Sequence, residues 1–303
     1  MGILAKRIVY LVVRTPANRP RTALIVLLTL FAYAMPSQAQ RLPPGWGQPF
    51  PPFHIAGNLY YVGDQDLASY IVVTNQGIIL INSGVKEDVP LIEKGVEQLG
   101  FHYKDIKILL ISHAHYDHAE GSAQIIKDTH ARYYVMEADV PTVESGGKDD
   151  FQYGHNTRFH FPAAKVDRIL HDGDNVELGG SVLVAHLTAG HTKGTTTWTT
   201  EVTEGGKVLH VVIVGSPNVN PGYKLVGNKQ YPHIADDYKQ GFAVMKNLPC
   251  DIFLGSHGSY FGLKEKYAKW SAGDKNAFID PTGYRTFVEQ REEQFELALK
   301  KQQ

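Results

Sequence analysis

Ser112-His113-Ala114-His115-Tyr116-Asp117-His118 directly follows the apolar run Lys107-Ile108-Leu109-Leu110-Ile111. The run reads as a buried strand over residues 106–111, so a dense set of nitrogen and oxygen donors leaves one strand end. Alternate residues of an extended chain point the same way, which lets His113 and His115 share one metal ion. A tighter turn at 117–118 aims Asp117 and His118 at a second. Zinc takes about four such donors at ~2.0–2.2 Å, and a pair of zincs needs more than one segment can offer. H-x-H-x-D-H is a specific pattern, and it sets a demand for ligands from elsewhere.

Two histidines meet that demand. His191 lies in Ala189-Gly190-His191-Thr192-Lys193-Gly194 and His257 in Gly255-Ser256-His257-Gly258, both glycine-bounded loops after strands. Of the 14 histidines, the others lack such a setting and read as solvated or packed, His233 as structural.

Outward from these loops, short strands alternate with turns. Strands are expected at 58–62, 70–74, 78–82, 106–111 and 132–135, with helices at 91–99 and 122–129. The second half repeats the theme, with strands at 176–178, 181–187, 195–200, 208–214 and 251–254. Helices are expected at 236–246, 263–271 and 284–300. Residues 40–53 read as an extended Pro/Gly-rich arm, and 144–165 as a long loop whose Phe151 and Tyr153 are candidates to cover a substrate. Strands first and helices after, twice over, give an α/β architecture of two packed sheets with helices outside.

The chain has 303 residues, 43% hydrophobic and 20% charged, with 29 Gly, 16 Pro and one Cys. That composition is globular and excludes a disordered, collagen-like or disulfide-scaffold protein. Five basic residues (Lys6, Arg7, Arg14, Arg19, Arg21) precede an apolar stretch over 23–35, and Ser37-Gln38-Ala39 follows. Residues 1–39 therefore read as a secretory signal cut near Ala39, with an uncleaved anchor as the alternative because the basic region is long. No stretch reaches the ~20 apolar residues of a membrane span. The remaining domain, 40–303, keeps 31 acidic against 25 basic residues. It has no basic run to meet a polyanion, so nucleic acid is excluded as a partner. Cys250 stands alone and reads as a packed thiol.

His113, His115, Asp117, His118, His191 and His257, in that order, resemble the metallo-β-lactamase superfamily. The resemblance spans residues 50–300. It implies an αβ/βα sandwich of two mixed β-sheets with helices on the outer faces and two zinc ions between them. One position chooses the branch. After the strand at 208–214 most hydrolases of the superfamily place a bridging Asp, and two β-lactamase subclasses place a Cys; this chain has Gly215-Ser216. A serine is a poor zinc ligand at neutral pH, so the second zinc must take His118. That arrangement resembles subclass B3. Pro221-Gly222-Tyr223-Lys224-Leu225, Tyr231-Pro232-His233 and His191-Thr192-Lys193-Gly194-Thr195-Thr196-Thr197-Trp198 resemble the same subclass, as does Pro52-Phe53-His54-Ile55-Ala56-Gly57-Asn58-Leu59-Tyr60-Tyr61-Val62-Gly63. Three departures stand out. Asn82-Ser83-Gly84 replaces Asp-Thr-Gly, Asn218 replaces a second serine, and Tyr284 stands where relatives carry the partner of Cys250.

The resemblance implies hydrolysis of the β-lactam amide in the periplasm by a monomer. His113, His115 and His191 would hold the first zinc, and Asp117, His118 and His257 the second. Asp117 would orient the attacking water and Tyr223 would donate to the carbonyl oxygen. Ser216 and Asn218, with Tyr223, would contact the substrate. The competing readings are a lactonase or other ester hydrolase on the same fold, and a non-catalytic periplasmic zinc-binding protein.

Overall fold

The computed structural model describes residues 42–303; the signal segment expected over residues 1–39 lies outside them. The first sheet holds β1 (Phe53–Ala56), β2 (Leu59–Tyr61), β3 (Tyr70–Thr74), β4 (Gly77–Ile81), β5 (Ile106–Leu110), β6 (Arg132–Met136) and β7 (Arg168–Leu170) in that spatial order. The first four strands run antiparallel through short turns, and β4 to β7 run parallel. Parallel neighbours need crossovers. These carry α1 (Val89–Gln98), then α2 (Tyr116–Ala119) and α3 (Ser122–Thr129), then α4 (Val140–Glu144).

The second sheet is ordered β12-β11-β10-β9-β8. It comprises β8 (Asn175–Leu178), β9 (Ser181–Leu187), β10 (Thr196–Glu204), β11 (Lys207–Val214) and β12 (Ile252–Gly255). The β11–β12 pair is parallel and its crossover carries α5 (Ile234–Asn247). After β12 come α6 (Gly258–Phe261), α7 (Leu263–Ser271) and α8 (Pro281–Lys300). Both sheets are mixed, and the expected sandwich is what forms.

The two-residue period of a strand explains why β4 is apolar throughout. Ile79 and Ile81 face the core that includes Leu183, Ala185 and Trp198 of the other sheet, while Ile78 and Leu80 face Ile92 and Val96 of α1. A sheet covered on both faces leaves no polar side to its central strands. Behind the second sheet, Phe242 of α5 and Phe295 of α8 pack as a tilted pair with ring centroids 5.8 Å apart. On α8 the residues Tyr284, Phe287, Val288, Phe295 and Leu299 are buried, the face anticipated from the helical period.

Some elements differ from expectation. The arm ends earlier than residue 53, because Phe53 begins β1 and pairs with Tyr61. The strand β7 and the single-turn helices α2 and α6 were not anticipated; three or four residues show no period. The turn expected at 117–118 is helical, starting after His115 in extended conformation. Cys250 is free and half-buried, and burial pushes its thiol up to about 12. Tyr284 spends its hydroxyl on the Met245 carbonyl at 2.7 Å.

Candidate metal centre

The C-terminal ends of β5, β9, β11 and β12 open on one side of the sandwich, where ligands collect in α/β sheets. Two hydrogen bonds fix the β5 exit against the second sheet: Trp198 Nε1 donates to the Ile111 carbonyl at 3.1 Å, and Thr196 N to Ser112 O at 2.7 Å. Asn82, in the left-handed region at φ 65°, accepts from Ser112 N at 2.7 Å and donates Nδ2 to Ala68 O at 3.1 Å. An amide can do both at once, whereas a carboxylate could only accept. The replacement of Asp by Asn82 thus ties three loops together.

Asp139 does similar work from the other side. Its carboxylate accepts from Ala114 N at 2.9 Å, Thr192 Oγ1 at 2.8 Å and Gly194 N at 2.8 Å, clamping the loop of His113 and His115 to that of His191. Gly190 holds φ +132°, and a Cβ there would stand 2.5 Å from the Tyr238 ring. Glycine is what lets the His191 loop lie so close.

His113, His115 and His191 form a triangle with ring centroids 4.7 to 4.9 Å apart. Each offers a ligand atom within 4.8 Å of the others. His191 Nδ1 faces the Asn218 carbonyl at 2.8 Å, so it must carry the proton and Nε2 is left for a metal. His115 Nε2 stands 3.5 Å from Asp150 Oδ2 and has no hydrogen bond.

The second group converges more tightly. His118 Nε2 lies 3.2 Å from His257 Nε2 and 3.3 Å from Asp117 Oδ2, and His257 Nε2 lies 3.6 Å from that oxygen. Ligands bound to zinc at ~2.0–2.1 Å in a tetrahedron are separated by roughly 3.3 Å, so these three atoms fit one ion. His257 Nδ1 is set by Asp66 Oδ2 at 3.1 Å. His113 is also within 4.8 Å of Asp117 and His118, so the two groups adjoin.

Electrostatics favour the ligating forms of His113, His118, His191 and Asp117. Burial pushes His113 far down, His191 down to about 3, and His118 down despite the Asp117 carboxylate. Neutral imidazole is the form that binds metal. For His115, burial is outweighed by the Asp150 carboxylate, and the net shift is upward. Burial alone would raise Asp117, but His118 and His257 beside it hold its carboxyl below the usual carboxylate range. Five imidazoles and one carboxylate brought together, four of the imidazoles buried and His115 Nε2 left without a partner, suit zinc chemistry.

A cavity of about 280 Å³ opens over both groups. His115, Asp117, His191 and His257 line it, with Trp46, Tyr116, Tyr153 and Phe159 as aromatic walls and Asn218, Asn220 and Tyr260 as polar ones.

The Lactamase_B model, described as the metallo-beta-lactamase superfamily, matches residues 63–257. The chain belongs to this superfamily. The native FEZ-1 metallo-beta-lactamase from Legionella gormanii is 54% identical, with a TM-score of 0.85 over 86% of this chain and 99% of that one. BJP-1, a subclass B3 metallo-beta-lactamase of Bradyrhizobium japonicum, is 37% identical, with 0.80 over 86% and 97%. The class B3 di-zinc metallo-beta-lactamase LRA-12 from an Alaskan soil metagenome is 34% identical, with 0.80 over 84% and 96%.

Within that family frame, the six anticipated donors come together and Asn218 reaches the cavity wall. Two other anticipated residues behave differently. Ser216 is 2% exposed and does not line the cavity; its Oγ lies 3.1 Å from Tyr260 Oη. The expectation that Tyr223 donates to the substrate carbonyl is corrected. Its hydroxyl is buried, absent from the cavity lining, and donates to the His191 carbonyl at 2.8 Å. Tyr223 holds the His191 loop from behind. In the long loop, Phe151 packs on Tyr223 and Tyr231 at 5.2 and 5.0 Å, while Tyr153 does reach the cavity. Asp66, Asp139, Trp46 and Tyr260 were missed. Asp64-Gln65-Asp66, two acids between apolar strands, was the available signal for Asp66.

Proposed function

We propose that residues 40–303 form a zinc-dependent hydrolase of the β-lactam amide, working as a monomer in the periplasm after removal of residues 1–39. The observation that carries this reading is the second donor trio. Ser216 is bonded to Tyr260 rather than turned to the metals, and His118 Nε2 joins Asp117 and His257 in its stead. The class B3 di-zinc description of a relative supports two ions here. All six donors come from one chain, which supports the monomer.

Bound zinc supplies a Lewis acid for the lactam carbonyl and brings the pKa of a coordinated water near ~7. The chain's own residues supply the rest. Asp117, kept ionised at the cavity wall, would accept a hydrogen bond from the attacking water and so orient it. Asn218 O and Asp66 fix the tautomers of His191 and His257, leaving Nε2 of each toward the centre. The aromatic walls hold the apolar part of a substrate and exclude water.

The test is purified 40–303 against a carbapenem, a penicillin and an acyl-homoserine lactone, with and without chelator. The reading predicts β-lactam turnover that chelator abolishes. Turnover of the lactone alone would establish the ester-hydrolase alternative, and no turnover with zinc bound would establish the binding-protein one.

A further inference from the structure

Beyond Asp117 and His257 the cavity ends on Tyr260, one helical turn after His257 on α6. The two rings lie 5.0 Å apart, and Tyr260 also packs on Phe287 of α8 at 5.1 Å. The guanidinium of Arg291 lies over the Tyr260 ring at 5.9 Å, adding positive potential to this end. Two residues after β11 reach the phenol oxygen. Asn218 Nδ2 donates to it at 2.7 Å, and Ser216 Oγ lies 3.1 Å away.

Proton accounting decides what the phenol does. An amide N–H only donates, so Tyr260 Oη accepts from Asn218. Tyr260 is also the one hydrogen-bond partner of Ser216 Oγ among the described residues. If Tyr260 gave its proton to Ser216, the serine proton would be left in a buried place without an acceptor, which costs free energy. With Ser216 donating instead, both lone pairs of Oη are used and its proton is left for the cavity. Ser216 thus spends its hydroxyl and Asn218 its Nδ2 on Tyr260, while Asn218 Oδ1 stays buried without a partner, and the group shown to a ligand is a neutral O–H donor beside a positive centre.

We propose that Tyr260 is a specificity-determining residue that donates its phenolic proton to the carboxylate of the substrate. The inference rests on the β-lactam reading, whose penicillins and carbapenems carry a carboxylate beside the lactam nitrogen. A hydrogen bond to a charged group contributes roughly 10- to 100-fold in binding. The carboxylate is held alike before and during attack on the amide, so the effect belongs in KM.

Tyr260→Phe removes the hydroxyl and keeps the ring between His257 and Phe287. With benzylpenicillin, KM should rise roughly tenfold or more while kcat stays within about twofold. With benzylpenicillin methyl ester, which has no carboxylate, kcat/KM of parent and variant should agree within about twofold. Zinc content should be the same in both proteins. An unchanged KM for the acid, or an equal loss on acid and ester, would overturn the assignment of Tyr260 while the parent's turnover kept the hydrolase reading. A parent inactive on both compounds would overturn the hydrolase reading and this one with it.

Discussion

His257 Nδ1 stands 3.1 Å from Asp66 Oδ2, across 191 residues of chain. The same carboxylate accepts from the Trp46 indole at 3.2 Å through Oδ2 and from Ser259 N at 3.0 Å through Oδ1. Asp66 therefore couples the N-terminal arm, the β2–β3 loop and the β12 exit to the orientation of one donor imidazole.

Removing that carboxylate should loosen the second metal position more than the first. Outer partners of metal-ligating histidines contribute about 10- to 100-fold in affinity. Asp66→Ala should weaken one of two zinc-binding steps by that factor and leave the other within about threefold. Chelator competition with zinc reads both steps; two unchanged steps would remove Asp66 from this role.

Asp139 is buried with three donors from two loops, so its loss strands all three. Asp139→Ala should cost about 2–4 kcal/mol of folding stability. Chemical denaturation of the zinc-free protein measures it. A loss under about 0.5 kcal/mol would mean that water replaces the carboxylate without cost.

Asp64 and Asp88, both essentially inaccessible, face each other beneath the arm. Asp64 accepts backbone N–H groups from Gly47, Asp66 and Leu67, which favours its ionised form. Asp88 Oδ1 is buried with no such partner. Burial, and then the Asp64 charge, push the Asp88 carboxyl well above the usual range. The folded chain thus keeps a proton that the unfolded chain releases near ~3.9. The stabilisation from this pair is full below that value and is lost as pH rises through the folded pKa of Asp88. Asp88→Asn keeps a donor toward Asp64 without the titration. Its Tm relative to the parent should be higher at pH 8 than at pH 5, and a difference independent of pH would refute the shared proton.

Ser216 and Tyr223 were both anticipated next to substrate, and both are buried outside the cavity lining. Ser216→Ala should leave zinc content unchanged, since its hydroxyl serves Tyr260. Tyr223→Phe should cost about 0.5–1.5 kcal/mol of stability through the lost bond to the His191 carbonyl, with kcat within about threefold. Loss of a zinc in the first variant, or a kcat loss beyond tenfold in the second, would contradict these placements.

The donors were legible because their signal is local. His113, His115, Asp117 and His118 crowd one strand exit, and His191 and His257 sit in loops opened by glycine. The strand 181–187 and the helices 122–129 and 263–271 follow clean periods and form over those residues. What escaped depends on distant chain. Asp66 matters because of a histidine far along the sequence, and Tyr260 because of Ser216 and Asn218, 44 and 42 residues earlier. Pro221-Gly222 does turn the chain, as its residues suggest, but nothing local says that a backbone carbonyl will claim the Tyr223 hydroxyl.

We propose that two donor trios hold two ions, with no bridging residue after β11. Elemental analysis of purified 40–303 at saturating zinc tests it most directly. Two zinc ions per chain are expected from six donors in two groups, and about one in His118→Ala. One zinc per chain at saturation, with full β-lactam turnover, would contradict the account.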